Sequence, residues 1–153
     1  MFRLILPVII CLAEPLSAQS IKSCPSGDNQ ICDQILACIG AKGRWFHGLA
    51  LGLGPWSSVT GSFDNGIACT GQRLQYNKVM TGEITLECTD GARGTVIYEN
   101  HFPHESYGTG HTTLNDGRAL QVWVAQDLKA ALRFDVGSTV ARLPCPGGAI
   151  RLD

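Results

Sequence analysis

Signatures of several common chemistries are missing from this chain. It has no CxxC pair, which removes the usual spacing of thioredoxin-like redox sites and zinc ribbons. It has no GxSxG, the elbow that exposes a serine nucleophile in many hydrolases, and no HExxH zinc helix. An excess of charge of one sign is missing too: 12 Lys and Arg stand against 13 Asp and Glu, for a net charge of −1. No basic surplus exists to hold a nucleic acid by counterion release, and no basic run marks a membrane-surface patch. Beyond residue 13 no apolar run approaches the ~20 residues that a spanning helix needs.

The N-terminus reads "MFRLILPVIICLAEPLSAQS". Arg3 supplies a short basic region, residues 4–13 an apolar one, and Ser17-Ala18 a small-residue cleavage site. Residues 1–18 are therefore expected to be a signal peptide, and residues 19–153 one exported domain, secreted or periplasmic. Cys11 lies inside the apolar stretch after Ile9-Ile10, so a lipid anchor is not expected, and no stable membrane insertion follows once the signal is cut. The 135 residues that remain of 153 suffice for a real core.

Removing the signal leaves six cysteines: Cys24, Cys32, Cys38, Cys69, Cys88 and Cys145. An even number in an exported chain points to three disulfides. Cys32 and Cys38 are six apart and poorly placed to bridge each other, so each is expected to reach a different partner. Cys145 is expected to fasten the C-terminal end to the body. The pairing itself stays open.

Hydrophobic periodicity gives the fold class. "DNQICDQILACIG" reads as a short helix capped by Asp28 or Asn29, with Ile31, Ile35 and Cys38 at helical spacing and Gly40 ending it. After residue 43 the texture becomes β. "RWFHGLALGL", "GPWSSVTGSF" and "GIACTGQRLQY" read as strands. In "GEITLEC", Ile84, Leu86 and Cys88 alternate with Glu83, Thr85 and Glu87. Asp90-Gly91 and Asp116-Gly117 mark hairpin turns. "ALQVWVA" puts Leu120, Val122 and Val124 inward. Residues 126–133 are ambiguous between helix and strand; a loop or single helical turn is expected, then a strand from about 131. "STVARLPC" reads as a last strand. The Thr-Gly phrases at 60 and 81, with Cys69 and Cys88 19 apart, suggest a faint strand-and-turn repeat that must pair with its neighbours. The expected fold is mainly β: an antiparallel meander of six to eight strands, as a small sandwich or open barrel, with a disulfide-tethered N-terminal helix.

Candidate sites are sparse. His101, His104 and His111 fall within "HFPHESYGTGH" and could converge on zinc or copper, with Glu105 as a further ligand. Ser57, Ser58, Ser62 and Ser106 could serve as nucleophiles on paper, without a local signature. Glu83 and Glu87 lie about 13 Å apart on one strand face, too far for a glycosidase pair. Asp90 and Asp116 are expected in turns for backbone reasons alone. Trp45, Phe46 and Trp56 cluster near the first strands, and Trp123 lies opposite Val122 and Val124 as a candidate binding platform for a partner or sugar ring. The leading expectation is an exported non-catalytic binding module for an unknown protein or small ligand, without a cofactor. A periplasmic metal-binding protein, a small secreted hydrolase and an inhibitor are the alternatives.

Overall fold

Strand alternation sorts the side chains into two sets, and the structure closes one set inside a barrel. The computed structural model describes residues 20–25, 30–41, 43–76, 81–100, 107–137 and 139–152. Eight antiparallel strands follow in chain order: β1 (Ile31–Ile39), β2 (Arg44–Leu53), β3 (Trp56–Phe63), β4 (Ala68–Tyr76), β5 (Thr81–Cys88), β6 (Arg93–Asn100), β7 (Gly108–Thr113) and β8 (Ala119–Ala125). Each pairs with the next, and β8 pairs back onto β1 from Gln34↔Ala125 to Ile39↔Leu120. The meander is thus a closed barrel, not a sandwich or an open barrel. Closure leaves no barrel strand with an unpaired edge, and eight strands enclose a lumen that side chains can fill.

The lumen is lined by Ile35, Ala37, Ile39, Phe46, Val59, Phe63, Ile84, Leu86, Val96, Tyr98, Leu120, Val122 and Val124, all buried. Glycines on the same inward faces make room for the large rings. The paired Gly48 and Gly61 border the Phe46 ring, and Gly82 lies under the ring of Tyr98. Gly71 sits where a Cβ would run into the Thr85 carbonyl of β5. These are close approaches of ring or backbone to backbone, the usual reason for glycine within a strand.

The end carrying the turns 64–67, 89–92 and 114–118, here the upper end, is tied together. Cys69 and Cys88 are direct cross-strand partners joined by a disulfide. The two Asp-Gly turns, each with glycine at φ +84°, are tied together. Arg118 binds Asp116 and Asp90, and Asn115 accepts from the Arg93 amide and donates to the Gly91 carbonyl.

The expected N-terminal helix is β1 instead. Its inward residues Ile35, Ala37 and Ile39 face the lumen, while outward Leu36 and Cys38 are covered by the C-terminal segment. A strand buried on both faces has a continuous apolar run and loses its alternation, so its pattern coincides with helical spacing. The covering element is α1 (Leu128–Val136). It replaces the strand expected from about 131: Leu128, Ala131 and Leu132 form one buried stripe, and the closed barrel offers no edge for a ninth strand. Asp127 caps it by accepting from the Ala130 amide at 2.9 Å. Buried Gln34 accepts from the Leu128 amide at 2.8 Å and donates to the Lys22 carbonyl at 3.2 Å, joining the entry segment to the helix start. The expected last strand is three residues, β9 (Ala141–Leu143), paired outside the barrel with β10 (Ile150–Leu152). Cys38–Cys145 bolts this cover to β1, and Cys24–Cys32 ties down the entry segment. Residues 1–18, the expected signal peptide, lie outside the described residues.

Candidate functional site

At the lower end of the barrel, opposite the paired Asp-Gly turns, the inward positions become polar. Asp33 on β1, Ser57 on β3, Arg73 on β4 and Tyr98 on β6 are all buried. Arg73 crosses the lumen: its Nη1 lies 2.7 Å from Asp33 Oδ2, its Nε donates to Tyr98 Oη at 2.7 Å, and its Nη2 donates to Gln75 Oε1 at 2.7 Å. The guanidinium also lies 5.9 Å from the centre of the Tyr98 ring. Burial pushes the Asp33 carboxyl above its usual range, and the Arg73 charge opposes that rise. Burial likewise raises Tyr98, again against Arg73. The cluster joins opposite walls, and its hydrogen-bonding capacity is largely spent within itself.

Ser57, the cross-strand partner of Arg73, is different. It is 4% exposed and its Oγ has no hydrogen-bond partner. A buried hydroxyl without a partner costs about 1–3 kcal/mol, so it calls for an explanation. The Ser57 side chain points inward; on the outer side of the same strand a cleft of about 400 Å³ is bordered by Leu51, Gly52, Trp56, Ser57, Ser58 and Gln72. The Trp56 indole stands at this cleft, 57% exposed. The backbone beneath it is held on both sides, by Leu53↔Trp56 and Trp56↔Leu74, and the adjoining turn is tied to β4 by the Gln75 amide donating to the Pro55 carbonyl at 2.9 Å. Ser58 and Gln72 are direct cross-strand partners on the same outer face.

The expected platform, Trp123, does project outside the barrel, opposite Val122 and Val124. That part of the wall is covered by α1 and the β9–β10 hairpin, leaving Trp123 3% exposed and Trp45 equally buried. Trp56 is therefore the exposed tryptophan. Its sequence signal is its phase: in "WSSVTGSF" it shares the outer face with Ser58, Thr60 and Ser62, while Ser57, Val59 and Phe63 are buried.

His101 and His104 lie outside the described residues. His111 is exposed on β7, and among the described residues no group of three or more His, Cys, Asp or Glu is placed to hold a metal. Ser106 also lies outside the described residues. Of the other serines, Ser62 meets a histidine that the sequence did not flag: its Oγ is 3.4 Å from His47 Nε2 across the β2–β3 pairing. His47 Nδ1 is buried without a partner, so no carboxylate orients the ring. Burial and the nearby Lys22 charge hold the His47 pKa below its usual value. The six cysteines among the described residues are all in disulfides, an arrangement typical of oxidising compartments. Among the described residues no helix is long and apolar enough to cross a membrane. The outer wall of β4–β6 carries Thr70, Gln72, Glu83, Thr85, Glu87, Thr95 and Glu99.

No family model matches the chain, and no curated protein matches it. Solved structures with a similar shape include two redesigned β-barrels, mFAP0 and mFAP1, each determined bound to DFHBI. Both share 14% identity with this chain, with TM-scores of 0.45 and 0.46. The matches cover 61% of this chain and 94% and 91% of theirs.

Proposed function

We propose that the protein is an exported, non-catalytic binding module that takes a small ligand at the lower rim of the barrel, against Trp56. One observation carries this reading: an exposed indole on a rigid sheet stands at a cleft beside the outward Ser58–Gln72 pair. Exposed aromatic rings over polar groups are efficient binding surfaces, because they offer large contact area at small entropic cost. The lumen is a poorer candidate, since rings and the Arg73 cluster fill it. The threonines and glutamates on the outer wall of β4–β6 fit a barrel surrounded by water, as a lipid-facing barrel would carry an apolar outer band. The disulfides fit a secreted or periplasmic location.

Tryptophan fluorescence tests this directly. Trp45 and Trp123 are buried, so acrylamide-quenchable emission reports Trp56. A small-molecule extract of the host's exported fraction should shield that emission. Quenching that stays the same over the full range of extract would count against the reading.

The Ser62–His47 contact favours a second reading, a hydrolase on the outer wall. Labelling of Ser62 by a fluorophosphonate, lost in His47→Gln, would support it, and an unlabelled protein would remove it.

A further inference from the structure

We infer that the ligand of the Trp56 cleft is a neutral saccharide, with one sugar ring stacked on the indole. This rests on the binding reading above and narrows it to a chemical class.

The lining decides the class. Leu51, Gly52, Trp56, Ser57, Ser58 and Gln72 include no charged side chain. The nearest buried charges, Arg73 and Asp33, are paired with each other inside the lumen. A charged ligand would lose hydration here and find no counter-charge. A nucleotide is disfavoured on the same ground, since its phosphates need cations that the lining lacks. A purely apolar ligand would use the indole but leave the Ser58 hydroxyl and the Gln72 carboxamide facing it unpaired. A pyranose matches both halves. Its C–H face packs on an aromatic ring, and its hydroxyls both donate and accept, as Ser and Gln side chains do. At about 400 Å³ the cleft falls within the roughly 300–1,000 Å³ typical of small-ligand sites.

A competing occupant is visible on the same wall. Leu53, Trp56, Leu74, Glu83 and Ile97 are successive cross-strand neighbours. Leu53 and Ile97 are exposed like Trp56, which a protein partner could use. Such a partner would have no need of the Ser58–Gln72 pair.

A glycan array carrying neutral and acidic oligosaccharides separates these cases, followed by calorimetric titration of the best binder. The expected result is binding confined to neutral glycans. It should weaken at least tenfold in Trp56→Ala, several-fold in Gln72→Ala, and less than threefold in Trp56→Phe, which keeps the stacking face. Both sites lie on the outer wall, and circular dichroism checks that each of the three variants is folded. No binding to any neutral glycan, equal binding to acidic ones, or full binding by Trp56→Ala overturns the inference. If native mass spectrometry then finds a Trp56-dependent ligand that is not a saccharide, the binding reading stands and only the sugar falls. If Trp56→Ala retains every ligand, both fall. A stoichiometric protein partner lost in Ile97→Ser but kept in Gln72→Ala would replace the sugar with the protein surface.

Discussion

Arg73 reaches across the barrel lumen from β4 to Asp33 on β1, with 2.7 Å between Nη1 and Oδ2 and both side chains almost fully buried. A buried pair of this kind is costly to break, because removing one partner strands the other charge. Arg73→Met should lower the unfolding free energy by about 3–5 kcal/mol at neutral pH, measured by urea denaturation with disulfides intact. The loss should shrink on acidification. Without Arg73 the Asp33 carboxyl rises still further, so the folded state holds a proton that the unfolded state releases. Stability of the variant is then retained in acid and lost as pH rises through the folded pKa. A loss that is the same at pH 4 and pH 8 would contradict this role for Asp33.

His47 has the opposite sign. Burial and the Lys22 charge depress its pKa, so the folded state favours the neutral ring. This stability is present above the unfolded pKa near 6.5 and is lost as pH falls through the lower folded value. His47→Gln should flatten the stability curve below pH 6.5, while a parallel curve in the variant would place the pH dependence elsewhere.

Gly82 lies under the Tyr98 ring, which the Arg73 Nε–H holds in place. Gly82→Ala should cost about 1–3 kcal/mol from overpacking. At Gly91, where a Cβ meets open space but φ is +84°, an alanine would be strained by backbone alone. Urea midpoints of the two variants, each compared with its Tyr98→Leu double, separate the mechanisms. Only the Gly82 defect should be relieved when the ring is removed.

The three disulfides close loops of very different length: 8, 107 and 19 residues for Cys24–Cys32, Cys38–Cys145 and Cys69–Cys88. Chain-entropy reasoning gives roughly 2.5 kcal/mol for the first and nearly 5 for the second. Replacing Cys38 and Cys145 by alanine should be the most damaging pair substitution. It should also expose Trp123 to quencher, since this bridge bolts the helical cover over it. An unchanged Trp123 environment would show that α1 stays docked by packing alone.

Much of the barrel was legible where a strand has one wet face. "GEITLEC" alternates because Glu83, Thr85 and Glu87 point outward and Ile84, Leu86 and Cys88 point into the lumen. β2 appears as the phrase Arg44–Leu53, the same run that the sequence marks. Legibility failed where a second layer covers the wall. Leu36 and Cys38 are apolar because α1 and the C-terminal hairpin lie on them, which is a long-range fact. The same cover hides Trp123, whose outward direction was readable while its burial was not. Closure was also unreadable, because β1–β8 pairing joins residues as distant in sequence as Gln34 and Ala125. The Arg73 cluster was missed for a local reason: in "ACTGQRLQY" an arginine in a strand looks like a solvent-facing residue until its partner across the lumen is known. The Trp56 phase was readable, but nothing in the sequence says that this part of the wall stays open.

The most direct measurement is native mass spectrometry of the protein recovered from its host's exported fraction, wild type beside Trp56→Ala. The expected result is a small molecule bound at stoichiometric occupancy to the wild type and missing from the variant, with both proteins carrying three disulfides. A wild type that arrives bare, or a variant that keeps the same bound mass at the same occupancy, would contradict a ligand site at the Trp56 cleft.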